Sequence, residues 1–404
     1  MRTLIYHAYV YDTAHRAFTE GGVLTENGVF VKVYRQPITD PCEILCDRVV
    51  NADGCYLVPG LVDVHTHGRA GGDFVSADEG KLHIMAESYL ASGVTSVMPT
   101  LASAPLDELY CACDRVNRVR GNTGGARFVG THLEGRYLNP AKRGAHAPEL
   151  LVKPDAEELR GLMERMGLPC HISAALELDT DGSFAKAALD FGATLSLGHT
   201  AATYDEASLA FSRGATAVTH LYNCMPPIHH REGGAAVAAM TGNVFCELIV
   251  DGFHISPPVV KMTERLTSPD RLTLITDSME ATGCPDGEYS IAGMPVTVKD
   301  GKALTHDGAI AGSTLSLFDG VKNLMRFADI SFGKALYYAT ATPAKEIGVF
   351  RRLGSVAVGK YADFLLVDPD TLDMREVWLG GERRFPQNNL TQPARGSFAR
   401  RQKG

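Results

Sequence analysis

Short apolar runs alternate with amphipathic stretches through most of this chain. Eight runs of four to six mainly apolar residues are typical of buried strands, and the stretches between them repeat apolar residues at helical spacing. The predicted strands cover residues 61–65, 95–99, 128–133, 170–174, 194–197, 217–220, 245–250 and 272–276. The predicted helices cover residues 79–91, 106–118, 155–166, 183–191, 204–213, 235–241 and 257–266.

Eight strands that alternate with helices predict an α/β protein whose parallel strands close into a TIM-like (β/α)8 barrel. An open, doubly wound sheet is the competing arrangement. The G-x-G-x-x-G turn that many such sheets carry is not found after an early strand here, so the barrel is the preferred prediction.

The two ends of the chain differ from its middle. Residues 1–55 alternate apolar and polar positions, and Asn27-Gly28 between two apolar runs is typical of a hairpin turn. Residues 362–368 and 376–381 also have the pattern of strands. We therefore expect both ends, residues 1–55 and 346–385, to form one small β-sandwich domain beside a barrel at residues 56–345.

Two further segments depart from the barrel pattern. Residues 284–310 contain β-like runs and an Asp300-Gly301 turn signal, which predict a β insertion near the barrel mouth. Helical patterns follow it at residues 313–327 and 332–339. Residues 386–404 are polar and rich in small residues, which predicts a disordered tail.

Composition and charge narrow the classes of function. The chain has 404 residues, 45% hydrophobic and 21% charged, as soluble globular proteins have. A net charge of −8 provides no general basic surface for a nucleic acid. An anionic substrate would therefore need a local cationic pocket.

Nothing along the chain predicts a membrane or a secreted protein. The N-terminus lacks the apolar core and cleavage site of a signal peptide. The longest uncharged run, residues 88–106, contains Pro99 and Pro105 and is interpreted as a helix end, a buried strand and a loop. Nine cysteines without regular spacing predict reduced thiols and a cytoplasmic protein.

The first predicted strand ends in two histidines, His65 and His67. Residues two apart in a strand face the same side, so the two imidazoles can share one metal ion. The alternative is a pair of ordinary histidines at a strand end.

Similar side chains recur at the ends of other predicted strands. In a barrel these ends meet at one mouth, where barrel enzymes place their sites. One such side chain alone is more often hydrogen-bonded than metal-binding, but the recurrence predicts a metal site. The further candidates are Glu134, His199, His220 and Asp277.

Nine motifs carry a resemblance to a known family. They are PGLVDVHTHG (59–68), THLEG (131–135), RGAH (143–146), LGHT (197–200), THLYNCMPPIHHRE (219–232), DGFH (251–254), LITDS (274–278), AGSTLS (311–316) and GSVAVGKYADFLLVD (354–368). Together they resemble the amidohydrolase superfamily and, within it, the N-acetylglucosamine-6-phosphate deacetylase family. The resemblance spans about residues 1 to 384.

The resemblance implies one or two divalent ions, with zinc, iron, manganese and cobalt all suited to the ligands. Glu134, His199 and His220 would hold the principal ion, and His65 and His67 a second. Residues 171–177 contain no lysine, so a carbamylated lysine bridge is not expected and Glu134 would take its place.

The resemblance also implies the reaction, in which the acetamide of N-acetylglucosamine 6-phosphate is hydrolysed. Asp277, beside the metal, would be the general acid and base, and His146 would stabilise the oxyanion. Asn223, Cys224 and Arg231 would bind the phosphate. The full implied substrate-binding set is Ala145, His146, Asn223, Cys224, Arg231, His254, Ile310, Ala311 and Gly312.

Some of these residues have plainer interpretations, and some positions depart from the family. Arg231 could be a solvated loop charge, and His254 a structural histidine at a strand end. Arg136, Cys224 and Gly233 stand where the family has other residues, and Arg136 and Cys224 are expected near the sugar pocket.

Three alternative functions stay open on the sequence. The substrate could be N-acetylgalactosamine 6-phosphate or that of another amidohydrolase, such as an acylated amino acid, or the chain could be an inactive scaffold. The family commonly forms homodimers, so the expected partners are a second copy of the chain and a phosphorylated amino sugar. Neither a nucleic acid nor a membrane is expected as a partner.

Overall fold

Two large sheets organise the chain in the computed structural model, which describes residues 1–267, 270–306 and 308–386. The strands are β1 (Arg2–Asp12), β2 (Ala17–Glu26), β3 (Val29–Tyr34), β4 (Arg48–Asn51), β5 (Tyr56–Pro59), β6 (Leu61–Thr66), β7 (Gly68–Arg69), β8 (Gly72–Asp73), β9 (Val94–Ala102), β10 (Arg127–Phe128), β11 (Thr131–Glu134), β12 (Cys170–Ala174), β13 (Thr194–Leu197), β14 (Ala217–Val218), β15 (Phe245–Ile249), β16 (Leu272–Ile275), β17 (Gly287–Ile291), β18 (Met294–Lys299), β19 (Lys302–Thr305), β20 (Phe364–Val367), β21 (Met374–Leu379) and β22 (Glu382–Phe385). The α-helices are α1 (Glu79–Ala91), α2 (Leu106–Arg120), α3 (Ala156–Met166), α4 (Ser183–Phe191), α5 (Tyr204–Ser212), α6 (Gly234–Thr241), α7 (Pro257–Leu266), α8 (Leu317–Ala328) and α9 (Phe332–Glu346).

The predicted TIM-like barrel is confirmed. Strands β6, β9 and β11 to β16 pair in parallel, each with its neighbour along the chain, and helices α1 to α7 connect them. Strands β6 and β9 are buried along their whole length. One face of a barrel strand packs inside the barrel and the other packs against helices. Both faces are therefore buried, so the strand sequence is mainly apolar.

The first and last barrel strands meet through side chains as well as backbone. The Thr276 hydroxyl donates to Asp63 Oδ2 at 2.6 Å, and the Thr66 and Ser278 hydroxyls lie 2.7 Å apart. Burial raises the pKa of Asp63 to about 7, although the Thr276 hydrogen bond opposes the rise. These contacts close the barrel at the end where the candidate site residues lie.

Several predicted elements have different bounds in the structure. The strand predicted at 128–133 is divided into β10 and β11, and the strand predicted at 217–220 ends at Val218. The helix predicted at 332–339 continues to Glu346 through Pro343. An internal proline removes one hydrogen bond and is unfavourable, but nearly all of α9 is buried, and it packs on β6 and β16.

Both ends of the chain contribute to the second sheet. Its strands follow the order β22, β21, β20, β5, β1, β2, β3, and β4 pairs with β1. The predicted hairpin joins β2 to β3, where Asn27 and Gly28 adopt φ values of 50° and 82° that favour these residue types. On this sheet Trp378 is fully buried and stacks on Phe364. The division into domains at residues 55, 345 and 385 stays a prediction.

The segment predicted as a β insertion forms the antiparallel sheet β17 to β19. Asp300 and Gly301 make the turn between β18 and β19, both with positive φ. The chain then returns to the barrel layer with α8, which begins at Leu317 after a cap by Ser316, four residues later than the predicted start.

Several remaining predictions concern whole segments. Residues 88–106 form the end of α1, strand β9 and a loop, as interpreted from the sequence. Within the described ranges, no helix combines the length and the apolar character that a membrane span needs. All nine cysteines are unpaired. Residues 387–404, most of the predicted tail, lie outside the described residues.

Candidate metal centre and substrate pocket

Six predicted ligand side chains from five strand ends meet at the carboxyl-terminal mouth of the barrel. They are almost inaccessible to solvent, with exposed fractions between 0% and 8%. These six residues are His65, His67, Glu134, His199, His220 and Asp277.

Three of these residues share one backbone conformation. His199, His220 and Asp277 are each the second residue after the last residue of a strand, β13, β14 and β16 respectively. Each has a left-handed φ, of 46°, 31° and 49°. Such a conformation costs a residue other than glycine roughly 1–2 kcal/mol, and histidine and aspartate tolerate it better than most. The shared geometry ends each strand and leaves the side chain at the mouth.

The two oxygens of Glu134 face two different groups of ligands. Oε1 lies 2.9 Å from His220 Nε2 and 3.2 Å from His199 Nε2. Oε2 lies 2.9 Å from His67 Nε2 and 3.5 Å from His65 Nε2. One carboxylate therefore stands between two histidine pairs.

Asp277 belongs to the second of these groups. Its Oδ1 is 3.4 Å from His67 Nε2 and 3.5 Å from His65 Nε2. Burial alone would raise the pKa of Asp277, but the neighbouring His67 lowers it below its usual value. Burial is likewise outweighed at Glu134, where His65 holds the pKa well below its usual value. Both carboxylates are therefore anionic.

Hydrogen bonds at the far ring nitrogens set the tautomers of two histidines. His65 Nδ1 lies 3.0 Å from Glu247 Oε2, and His199 Nδ1 lies 2.9 Å from the carbonyl oxygen of Lys142. Because both partners accept, each Nδ1 carries a hydrogen, which leaves Nε2 as the atom that would offer a lone pair to a bound cation.

The converging atoms fit a divalent cation. Ring nitrogens and carboxylate oxygens at 2.9–3.5 Å need positive charge between them, which either a metal cation or protons on the nitrogens would supply. Among the residues that the structure describes, none makes a hydrogen bond to the buried His65 Nε2. Imidazole and carboxylate ligands suit zinc, iron, manganese and cobalt alike.

His146 lies beside this centre as a neutral donor. The Ser103 backbone amide donates to its Nδ1 at 3.3 Å, so the ring hydrogen is on Nε2, which is 3.8 Å from Glu134 Oε2. Burial lowers the pKa of His146 to about 4. The ring can therefore offer one N–H group to an oxygen atom in the site.

A cavity of about 270 Å³ opens above these residues. It contains eight of the nine predicted substrate-binding residues, together with five of the six predicted ligands, since His65 lies behind it. Its lining consists of His67, Glu134, Gly144, Ala145, His146, His199, His220, Asn223, Cys224, His254, Asp277, Ile291, Ile310, Ala311 and Gly312.

Contacts along the chain hold the cavity walls to the predicted ligands. The Ser313 amide donates to the Asp277 carbonyl oxygen at 2.7 Å, which places the 310–312 segment beside Asp277. Gly144 has a φ of 56°, and a Cβ there would lie 2.8 Å from Cys224 Sγ. His254 is fixed by its Nδ1 contact of 2.6 Å with Asp251 Oδ2.

The structure does not bring Arg231 into this cavity. Its exposed side chain lines a separate opening with Tyr204 and Asp205, and its Nη1 lies 2.8 Å from His230 Nε2. Arg136 also lies outside the cavity lining, because Glu158 Oε1 accepts from its Nε at 2.9 Å.

Sequence reasoning missed three residues around the site. Gly144 and Ile291 line the cavity, and Ile291 comes from the β insertion. Glu247 is fully buried and contacts His65. A lone carboxylate within the apolar run Phe245–Ile249 was the signal for it, since such groups are buried only with partners.

Fold and site together define a barrel enzyme with a buried metal-binding centre at the carboxyl ends of its strands. The chain belongs to the amidohydrolase family, whose model matches residues 56–393. The predicted family and the predicted class of metal-dependent amide hydrolase are thereby confirmed.

Two curated relatives and one solved structure are similar over most of the chain. N-acetylglucosamine-6-phosphate deacetylase of Vibrio furnissii is 34% identical over 333 residues, 81% of this chain and 83% of the relative. N-acetylgalactosamine-6-phosphate deacetylase of Escherichia coli O157:H7 is 32% identical over 381 residues, 91% of this chain and 97% of the relative. A mutant N-acetyl-D-glucosamine-6-phosphate deacetylase from Mycobacterium smegmatis, solved with N-acetyl-D-glucosamine-6-phosphate, is 29% identical with a TM-score of 0.86, covering 95% of this chain and 99% of that one.

Proposed function

We propose that this protein is a metal-dependent deacetylase that converts N-acetylglucosamine 6-phosphate and water to glucosamine 6-phosphate and acetate. The observation that carries the proposal is one cavity in which the anionic Asp277 and the neutral donor His146 both face the Glu134 centre. The similarity to deacetylases of this substrate supports it.

The metal ligands are proposed from the division of Glu134 between two groups. Glu134 Oε1 with His199 and His220 would hold the principal ion. Glu134 Oε2 with His65 and His67 would hold a second, beside Asp277. A bound divalent cation supplies Lewis-acid polarisation of the acetamide carbonyl and of the attacking water.

Asp277 would act as base and then as acid. Its carboxylate accepts a proton from the water whose oxygen adds to the acetamide carbon. It then returns that proton to the sugar nitrogen as the carbon–nitrogen bond breaks, and acetate and the free amine result. The lowered pKa of Asp277 supports its role as the initial base, because the group is ionised before the water reacts.

His146 would stabilise the oxygen that gains negative charge during the addition. The hydrogen on its Nε2 is directed toward the site because Nδ1 accepts from Ser103. A donor that is already in place costs no reorganisation when the charge develops.

The rest of the cavity would hold the sugar phosphate. His254 and the 310–312 segment are proposed sugar contacts, and Asn223 with the Cys224 backbone a proposed phosphate contact. No lysine or arginine occurs among the described residues of the cavity lining. Arg231, on the loop that follows Asn223, is the proposed cation, since a guanidinium binds phosphate bidentately.

A screen of acetate release tests the substrate. The metal-loaded protein is incubated with N-acetylglucosamine 6-phosphate, N-acetylgalactosamine 6-phosphate, the two unphosphorylated sugars and an N-acetyl amino acid. We expect the highest kcat/KM for N-acetylglucosamine 6-phosphate. A higher value for the galactosamine epimer would support the function of the Escherichia coli relative. No acetate from any compound, with metal content verified, would indicate an inactive scaffold.

We also propose a cytoplasmic homodimer. Exposed apolar side chains near the cavity support a second copy as partner, namely Ile228, Phe253 and Met262, which are 44%, 42% and 38% exposed. Light scattering on the purified full chain tests the dimer, and a monomer at micromolar concentration would contradict it.

A further inference from the structure

Glu247 lies inside the barrel, behind the proposed metal centre. It belongs to β15, whose neighbours are β14 and β16, yet its carboxylate contacts His65 on β6 and approaches His171 on β12. Such contacts with non-neighbouring strands require a side chain that crosses the interior. The residue is fully buried, so each of its contacts bears on the protein's stability or on the site.

One oxygen of Glu247 serves both groups of proposed ligands. Oε2 accepts from the His220 backbone amide at 3.3 Å and lies 3.0 Å from His65 Nδ1. His220 belongs to the group at Glu134 Oε1, and His65 to the group at Oε2. Because a backbone amide can only donate, this oxygen is an acceptor, and the hydrogen of the second contact belongs to His65.

The other oxygen of Glu247 has no comparable partner. Within the described residues Oε1 makes no hydrogen bond of ordinary length, since it is 3.7 Å from His171 Nε2 and close to the Glu346 carboxyl group. Both hydrogen bonds of Glu247 are therefore on the side of the proposed metal centre.

We propose that Glu247 is a positioning residue that holds His65 in the Nδ1–H tautomer, with its Nε2 lone pair directed at the second ion. The proposal rests on the proposed metal centre. A carboxylate behind a ligating histidine fixes the ring and raises its basicity, and its loss typically costs about 10- to 100-fold in metal affinity. The second ion therefore depends on a residue that touches neither the ion nor the substrate.

Metal titration of two matched variants tests this role. Glu247→Gln keeps the shape and removes the charge. Glu264→Gln makes the same change at another buried glutamate, which accepts from the Tyr338 hydroxyl at 3.0 Å in the helix layer. Both variants and the wild type are stripped of metal and titrated with zinc against a chromophoric chelator, and their folding is compared by thermal unfolding.

We expect Glu247→Gln to bind one of two zinc ions about 10- to 100-fold more weakly than the wild type does. Its affinity for the other ion should stay close to that of the wild type. Glu264→Gln should bind both ions as the wild type does. Wild-type affinities at both ions in Glu247→Gln, or equal losses in the two variants, would overturn the proposal. The proposal would also be overturned if the wild type bound a single zinc ion and Glu247→Gln bound it with the same affinity.

A spectroscopic measurement separates this proposal from the proposed function. In protein with ¹⁵N-labelled histidine, the His65 Nδ1–H signal is identified by its loss in His65→Ala. It should shift in Glu247→Gln and stay unchanged in Glu264→Gln, with or without zinc. An unchanged signal in Glu247→Gln would overturn the positioning role, whereas a zinc-loaded wild type that releases no acetate would contradict the proposed function alone.

Discussion

The backbone amide of Asp277 donates a 2.9 Å hydrogen bond to the carbonyl oxygen of His65. This bond joins the end of the last barrel strand to the end of the first. The same two residues approach through their side chains, with Asp277 Oδ1 3.5 Å from His65 Nε2. Closing the barrel therefore also sets the distance between the proposed base and the proposed ligands.

The first prediction concerns Asp277. Asparagine has nearly the same shape and keeps the backbone bond to His65, but it cannot accept and return a proton. Asp277→Asn should therefore lose at least the ~10²–10⁴-fold that general acid–base catalysis contributes, while it stays folded and keeps the ion at His199 and His220. Acetate release at verified zinc content measures this. Turnover within about tenfold of wild type, below that range, would assign the proton transfer to another group.

The second prediction concerns the two ions. Glu134 divides its oxygens between both groups, whereas His65 faces only Oε2. Glu134→Ala should therefore lose both ions after dialysis, and His65→Ala only one. Zinc per chain, measured by mass spectrometry on folded protein, gives the result. Full and equal occupancy in both variants would refute the ligand assignment.

The third prediction concerns phosphate recognition. A lost charge-assisted contact is worth about 1.5–3 kcal/mol, which corresponds to roughly ten- to 150-fold in kcat/KM. Arg231→Ala should show such a loss on the phosphorylated sugar and little change on the unphosphorylated one. Because Arg231 is exposed, the melting temperature of Arg231→Ala should match that of the wild type. Arg160→Ala, at another exposed arginine, is the control, and equal losses on both substrates would indicate a structural role.

The fourth prediction concerns a buried lysine distant from the site. Burial, and next the neighbouring Lys345, lower the pKa of Lys360 from 10.5 to about 8. Its ammonium group donates to the Leu353 carbonyl oxygen at 3.0 Å and lies over the Phe350 ring. The folded state thus binds fewer protons than the unfolded state between pH 8 and 10.5. The free energy of unfolding should therefore rise with pH across this window.

Lys360→Met should remove that rise and be more stable than wild type at pH 7, where the charged lysine is disfavoured by burial. Urea unfolding of the wild type and of Lys360→Met at pH 7 and pH 9 gives the free energy of unfolding of each protein at each pH. Lys153→Met, at an exposed lysine, should keep the wild-type dependence. A wild type with the same stability at both pH values would contradict the lowered pKa.

Local pattern alone determined most of the elements. The strands at 170–174 and 194–197 and the helices at 79–91, 183–191 and 257–266 have their predicted bounds. Their apolar periodicity and their flanking turn and cap residues act over a few residues, so no distant contact is needed to infer them. The motif HxH and its counterparts at other strand ends likewise indicated which residues meet, because parallel strands in a barrel end at one mouth.

Contacts between distant residues decided the rest. Only the tertiary structure divides the oxygens of Glu134 between two histidine pairs, leaves Arg231 outside the cavity and continues α9 past Pro343. Glu247 and His65 are 182 residues apart in the chain and 3.0 Å apart in the barrel. No periodicity spans such a separation, because these atoms come together only when the sheet closes and buries them.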